Sequence, residues 1–244
     1  MDKKIQELIS CGNKILTDYK KSRPEHPEIL AWSYCYQEFA KFKGKNPNEK
    51  EKDYLALQIT AYLASWGMYR GSSFLPEMNY KIHIKTVEIL LRSEYSPLWD
   101  VFGVPDWTLF QKLYIEIKEH YSEQCSRLRD EKARKKNATQ TLITKILMST
   151  LGCTIAYDRY ACRALKELKK GQTCNEKSIT EIFAFYEEEK SEFEALRVSY
   201  DEAFNVKHPP MKILDVCLWG YGEKLDKQDD EERKAKKAAV KGGM

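Results

Sequence analysis

Among the side chains able to do chemistry, Asp158 stands in the most specific company. Tyr157 and Tyr160 flank it, and Arg163 follows five residues on. It falls at the predicted start of a helix, where free amides and the macrodipole stabilise an anion, so its carboxylate stays ionised even when partly removed from water. A plain N-cap would use an aspartate in the same way. Upstream lies a cationic run, Lys132-Ala133-Arg134-Lys135-Lys136, which ends at Asn137 and Thr139 where another helix is predicted to begin. Basic side chains beside a helix N-terminus make a phosphate site. Lys132, Arg134, Lys135, Lys136, Asn137 and Thr139 are therefore the candidate phosphate contacts. An anchored phosphate, one buried helix and a fixed carboxylate suit chemistry on a nucleotide.

A second segment, Ser65 to Phe74, carries Trp66, Tyr69 and Arg70 together with two glycines and three serines. Glycines admit close approach by a ligand, and the aromatic rings offer a stacking surface. The same composition would also serve a tight crossing of two helices.

The elements that must hold these residues are helices. Asn137 or Thr139 can cap the first, and Leu142, Ile143, Ile146, Leu147 and Leu151 recur at three- and four-residue spacing. Gly152 is the expected stop, followed by a short crossing from Cys153 to Tyr157. Elsewhere the apolar periodicity predicts helices over 1–19, 29–42, 54–68, 82–91, 107–128 and 176–204, and a last one opening at Pro209-Pro210 and closed by Gly220 and Gly222. Residues 43–53 read as a loop. No strand pattern and no internal repeat occurs, so the expected class is all-α. Residues 1–222 form the expected globular unit, with candidate subdivisions near 43–53 and 129–138. The charged stretch 223–244 is expected to lack order or to be a frayed helix, its basic end available to phosphates.

Composition narrows the classes. At 244 residues with a net charge of only +4, any nucleic-acid surface must come from local clustering. Seven cysteines in an odd, unpaired scatter read as reduced thiols of a cytoplasmic protein, and no apolar run reaches membrane length. The four histidines, 26, 83, 120 and 208, have no ligand at helical spacing, so no metal is expected, and no motif calls for a cofactor.

The run Thr144 to Gly152, the crossing, then Tyr157-Asp158 and Arg163-Ala164-Leu165 resembles the second half of the signature of the helix-hairpin-helix DNA glycosylases. The match covers roughly thirty residues. It implies a helical fold with a pocket between two halves, double-stranded DNA as partner, and Asp158 as the group that stabilises the sugar cation and helps water attack. Tyr157, Tyr160, Trp66, Tyr69 and Arg70 become candidates for the base pocket or for a wedge in the stack. The chain departs from the pattern where Lys135-Lys136-Asn137 replaces the family's Gly-x-Gly hairpin. Thr139 or Gln140 stands where lyase members carry a lysine, so the resemblance implies a monofunctional enzyme. As a whole the chain is also similar to helical phage-defence glycosylases, which implies phage DNA with a sugar-bearing base as one substrate. A non-catalytic DNA-binding module and a helical protein-interaction protein use the same residues without chemistry.

Overall fold

The computed structural model describes residues 2–21, 26, 28–71, 73–128 and 137–242, with side chains through residue 236. Every regular element among them is helical: α1 (Lys3–Tyr19), α2 (Ile29–Ala40), α3 (Glu49–Ser65), α4 (Ile82–Leu90), α5 (Trp107–Ser126), α6 (Gln140–Thr150), α7 (Arg159–Glu167), α8 (Glu176–Glu188), α9 (Lys190–Phe204) and α10 (Pro210–Gly242), with 3-10 turns at Leu75–Glu77 and Ser93–Leu98. No helix among the described residues is long and apolar enough to cross a membrane.

Short polar side chains start the helices by accepting from their free amides, as capping requires. Thr139 accepts from Leu142 N, Asp158 from Tyr160 N and Ala161 N, and Asn175 from Ser178 N. Asn48 and Glu51 form a reciprocal capping box. That box moves the start of α3 into the stretch expected to be a loop, because Glu49 and Glu51 belong to its first turn. The helix expected over 176–204 is two helices, broken at Glu189, whose backbone lies at φ −112°, ψ 30°.

The central element is α6. Its residues from Leu142 to Thr150 are buried without exception, so it is enclosed on all sides and is not a one-faced helix with a single stripe. It packs against α2, α3 and α5. Gly152 ends it as expected, at φ +68°. A Cβ there would also lie 2.4 Å from Pro209 Cγ, so glycine is required both by backbone and by space.

Helix α10 lies along α7 and α1. The expectation that Gly220 and Gly222 end it is corrected: the helix runs through both and takes in the charged stretch from residue 223 to Gly242. The reason is proximity. A Cβ on Gly222 would lie 1.9 Å from the Tyr160 carbonyl oxygen, and one on Gly220 would lie 2.7 Å from Ile15 Cδ1, so these glycines let α10 touch its neighbours. Beyond them, Asp226 and Asp229 pair with Arg159 and Arg163 of α7 and continue the contact.

Substituting Gly222 by Ala should therefore cost about 1–3 kcal/mol through overpacking against backbone, several degrees in melting temperature. Gly103, whose Cβ position meets nothing within 4 Å, serves as the control and should tolerate Ala. Thermal unfolding followed by circular dichroism separates them; equal melting temperatures would refute the close-contact account.

Candidate functional site

The crossing that delivers Asp158 is fixed from both flanking helices. Thr141 Oγ1 donates to the Tyr157 carbonyl at 2.9 Å, and Tyr157 N donates to Thr144 Oγ1 at 3.0 Å, both from α6. From α10, Asp215 Oδ1 accepts Ala156 N at 2.8 Å. Asp158 then caps α7: its Oδ1 accepts Tyr160 N at 3.1 Å and Ala161 N at 3.0 Å. Its second oxygen, Oδ2, accepts Lys145 Nζ at 2.8 Å. The Lys145 side chain is 5 % exposed and that of Asp158 14 %, so the pair is nearly out of water with the carboxylate on the wetter side.

Lys145 Nζ also sits 4.4 Å from the centre of the Trp66 ring, a cation–π contact strengthened by desolvation. Behind this pair lies a second. Lys212 Nζ is 3.4 Å from Asp215 Oδ2, with side chains 2 % and 7 % exposed. Lys212 lies 5.2 Å from the Trp32 ring centre and 5.9 Å from that of Trp66. Burial pushes the Lys212 ammonium down and the Asp215 carboxyl up, since it disfavours charge on either, and their mutual attraction offsets part of both. Tyr160 and Trp66 both stand edge-on to Trp219, at 5.6 and 5.5 Å.

The residues singled out from the sequence are thus partly assembled. Asp158, Trp66 and Tyr160 meet around Lys145 and Trp219. Arg70, Asn137 and Thr139 meet elsewhere, lining a cleft of about 240 Å³ between the segment after α3 and the start of α6, together with Gly67, Phe74 and Leu142. Lys132, Arg134, Lys135 and Lys136 lie outside the described residues. Tyr157, expected at the pocket or as a wedge, is buried, with its hydroxyl bonded to Ser178 Oγ at 2.8 Å. Tyr69 is engaged by His83, its hydroxyl 2.9 Å from Nε2. Arg163 is held by Glu167 and Asp229.

Lys145, Lys212 and Asp215 were not among the sequence candidates. A signal existed: each is a charge inside an otherwise apolar helical run, Leu-Ile-Thr-Lys-Ile-Leu and Met-Lys-Ile-Leu-Asp-Val-Cys. Lysine and aspartate enter a core only when paired, so such positions announce partners. Among the described residues, no group of three or more His, Cys, Asp or Glu is placed to hold a metal ion. Comparison with protein-family models, with curated proteins and with solved structures gives no match.

The Tyr69 anchor has a pH signature. His83 lies between Tyr69 and Tyr121, whose hydroxyl is 2.6 Å from Nδ1, and burial pushes its imidazole from 6.5 down to about 3, with His120 adding to the shift. A base whose folded pKa is depressed leaves the unfolded chain holding more protons. Its contribution is intact above about pH 6.5 and is lost as pH falls toward 3, by about 1.4 kcal/mol per unit. His83→Gln should flatten the dependence of unfolding free energy on pH between 6.5 and 4 by about that slope. An unchanged slope in denaturant titrations would show that His83 is not held neutral.

Proposed function

We propose that the chain is a monofunctional DNA glycosylase, acting in the cytoplasm, that hydrolyses the N-glycosidic bond of a modified base and leaves an abasic site. The observation that carries this reading is the Asp158 carboxylate, held by two helix amides and one ammonium at the partly exposed edge of a desolvated, aromatic-walled cluster. Departure of a base develops positive charge on the sugar. A carboxylate already fixed in place stabilises that charge without reorganising, and more in the transition state than in the neutral substrate. The target nucleotide must leave the stack to reach it. Trp66 and Tyr160 supply aromatic faces next to Asp158, and the cleft of Arg70, Asn137 and Thr139 at the head of α6 suits the DNA phosphate. A base bearing a sugar, as in phage DNA, is the substrate suggested by the whole-chain likeness.

Lys145 opens a second reading. If its proton passed to Asp158, the free amine could attack C1′ and displace the base, and opening of the sugar ring, with C1′–O4′ breaking and O4′ taking a proton, would leave a covalent imine with the strand. Hydrolysis is preferred because Lys145 is gripped on two sides, by the carboxylate and by the indole face, and both are contacts that an ammonium makes.

Asp158→Asn keeps an oxygen for the two amides and removes the charge. It should lower base release at least a hundredfold, about 3 kcal/mol, while DNA binding changes little; circular dichroism must show a folded chain beside the assay, because the variant leaves Lys145 without its carboxylate. The assay is the appearance of alkali-labile sites in phage DNA carrying glucosylated hydroxymethylcytosine, beside unmodified DNA. Full activity in the variant would remove the case for an enzyme of this kind. Borohydride should trap no adduct; a trapped adduct that disappears in Lys145→Gln would establish the second reading. Arg70→Ala should flatten the salt dependence of DNA binding by about one unit of slope, and an unchanged slope would move the phosphate site elsewhere.

A further inference from the structure

Around Trp66 the hydrogen-bonding groups do not balance. Every oxygen of the two carboxylates is engaged: Asp158 by two amides and Lys145, Asp215 by Ala156 N and Lys212. On the other side, the Trp66 indole N–H and the Tyr62 hydroxyl are buried with no partner. Tyr62 is 1 % exposed, lies 6.5 Å from Trp66 between ring centres, and is close enough to Asp215 and Asp158 for both to raise its pKa after burial. Each ammonium has three N–H bonds, and Lys145 and Lys212 each give one to a carboxylate, the latter at a long 3.4 Å. The two atoms left with no partner at all, the Trp66 indole nitrogen and the Tyr62 hydroxyl oxygen, both carry a hydrogen to donate. Buried polar groups are ordinarily paired, so two neighbouring orphaned donors call for a ligand that brings acceptors.

We propose that Tyr62, Trp66 and Lys212 form the subsite for the acceptor edge of the excised base, a ring carbonyl oxygen with a neighbouring ring nitrogen. This rests on the glycosylase reading and adds the feature by which the base is chosen. Indole N–H, phenol O–H and ammonium N–H all point the selection toward bases with exposed acceptors and against rings without them. The same donors would stabilise the negative charge that the departing base carries as the C1′–N bond breaks and its electron pair moves onto the ring and its carbonyl oxygen. Of the three, Trp66 is partly exposed and is the side from which a ligand would approach, whereas Tyr62 and Lys212 are buried.

The test uses the whole chain with ¹⁵N-labelled tryptophan, the Trp66 indole resonance being assigned by its loss in Trp66→Phe. Titration with cytosine should move that resonance downfield to saturation, whereas aniline, a ring of similar size without a carbonyl, should leave it in place. Tyr62→Phe removes only a hydroxyl that has no partner, so it should fold at least as well as the parent while binding cytosine about tenfold more weakly, the worth of one hydrogen bond. Lys212→Met is the second variant. A silent Trp66 resonance, an equal response to aniline, or undiminished binding in both variants would overturn the subsite. A response to inorganic phosphate with none to cytosine would overturn it in favour of an oxyanion site. No DNA or turnover is involved, so cytosine binding without base excision would refute the proposed function and leave the subsite standing. Excision with a silent Trp66 would do the reverse.

Discussion

Two lysines taken out of water set the terms for everything near them. An ammonium in a core is tolerated only beside a carboxylate, and removing one member of such a pair is far more damaging than never having had it. Lys145 on α6 requires Asp158, and Lys212 on α10 requires Asp215. Asp215 in turn holds the backbone of the crossing at Ala156, two residues before Asp158. The two ion pairs are thereby coupled through one short piece of chain. The crossing cannot shift without loosening both, and α10 cannot slide along α7 without withdrawing the acceptor from Ala156.

A well-packed apolar cluster of similar volume would serve stability as well or better than buried ion pairs. Here the charged groups are gathered around one indole, with two unpaired donors among them, and the most exposed member is a carboxylate at a helix N-terminus. Polar groups held in this way without full satisfaction are a stability deficit that the rest of the core must offset. The enclosed α6, with Ile143, Ile146 and Leu147 fully buried and Leu151 buried just past its end, contributes to that offset.

The sequence made the framework readable where local chemistry decides it. The cap at Thr139, the left-handed Gly152 and the placement of Asp158 at the head of α7 all depend on neighbours a few residues away. What it concealed depends on distance. Lys145 and Asp158 are thirteen residues apart and meet only because the chain turns back at Gly152. Gly220 and Gly222 read as helix stops because nothing local reveals that α1 and α7 lie against them. Tyr157 drew notice as the neighbour of Asp158, yet extended backbone sends adjacent side chains to opposite sides, and Tyr157 goes inward to Ser178. The acidic residues after 222 looked like solvated charge because their cationic partners, Arg159 and Arg163, lie more than sixty positions earlier.

The packing of α1 and α9 against α10 also bears on the order of events during synthesis. Gly12 accepts a bond from the Tyr200 hydroxyl across 188 positions, and Ile15 rests on Gly220. Helix α1 is made long before α10, and its apolar face is covered only once α10 is present. Until α10 emerges, the crossing lacks its Asp215 acceptor. Contacts of such long range make folding slow relative to a bundle of sequential neighbours, and they expose apolar surface for the duration. The arrangement that buries the charged cluster therefore also makes it depend on contacts between distant parts of the chain, which are slow to form.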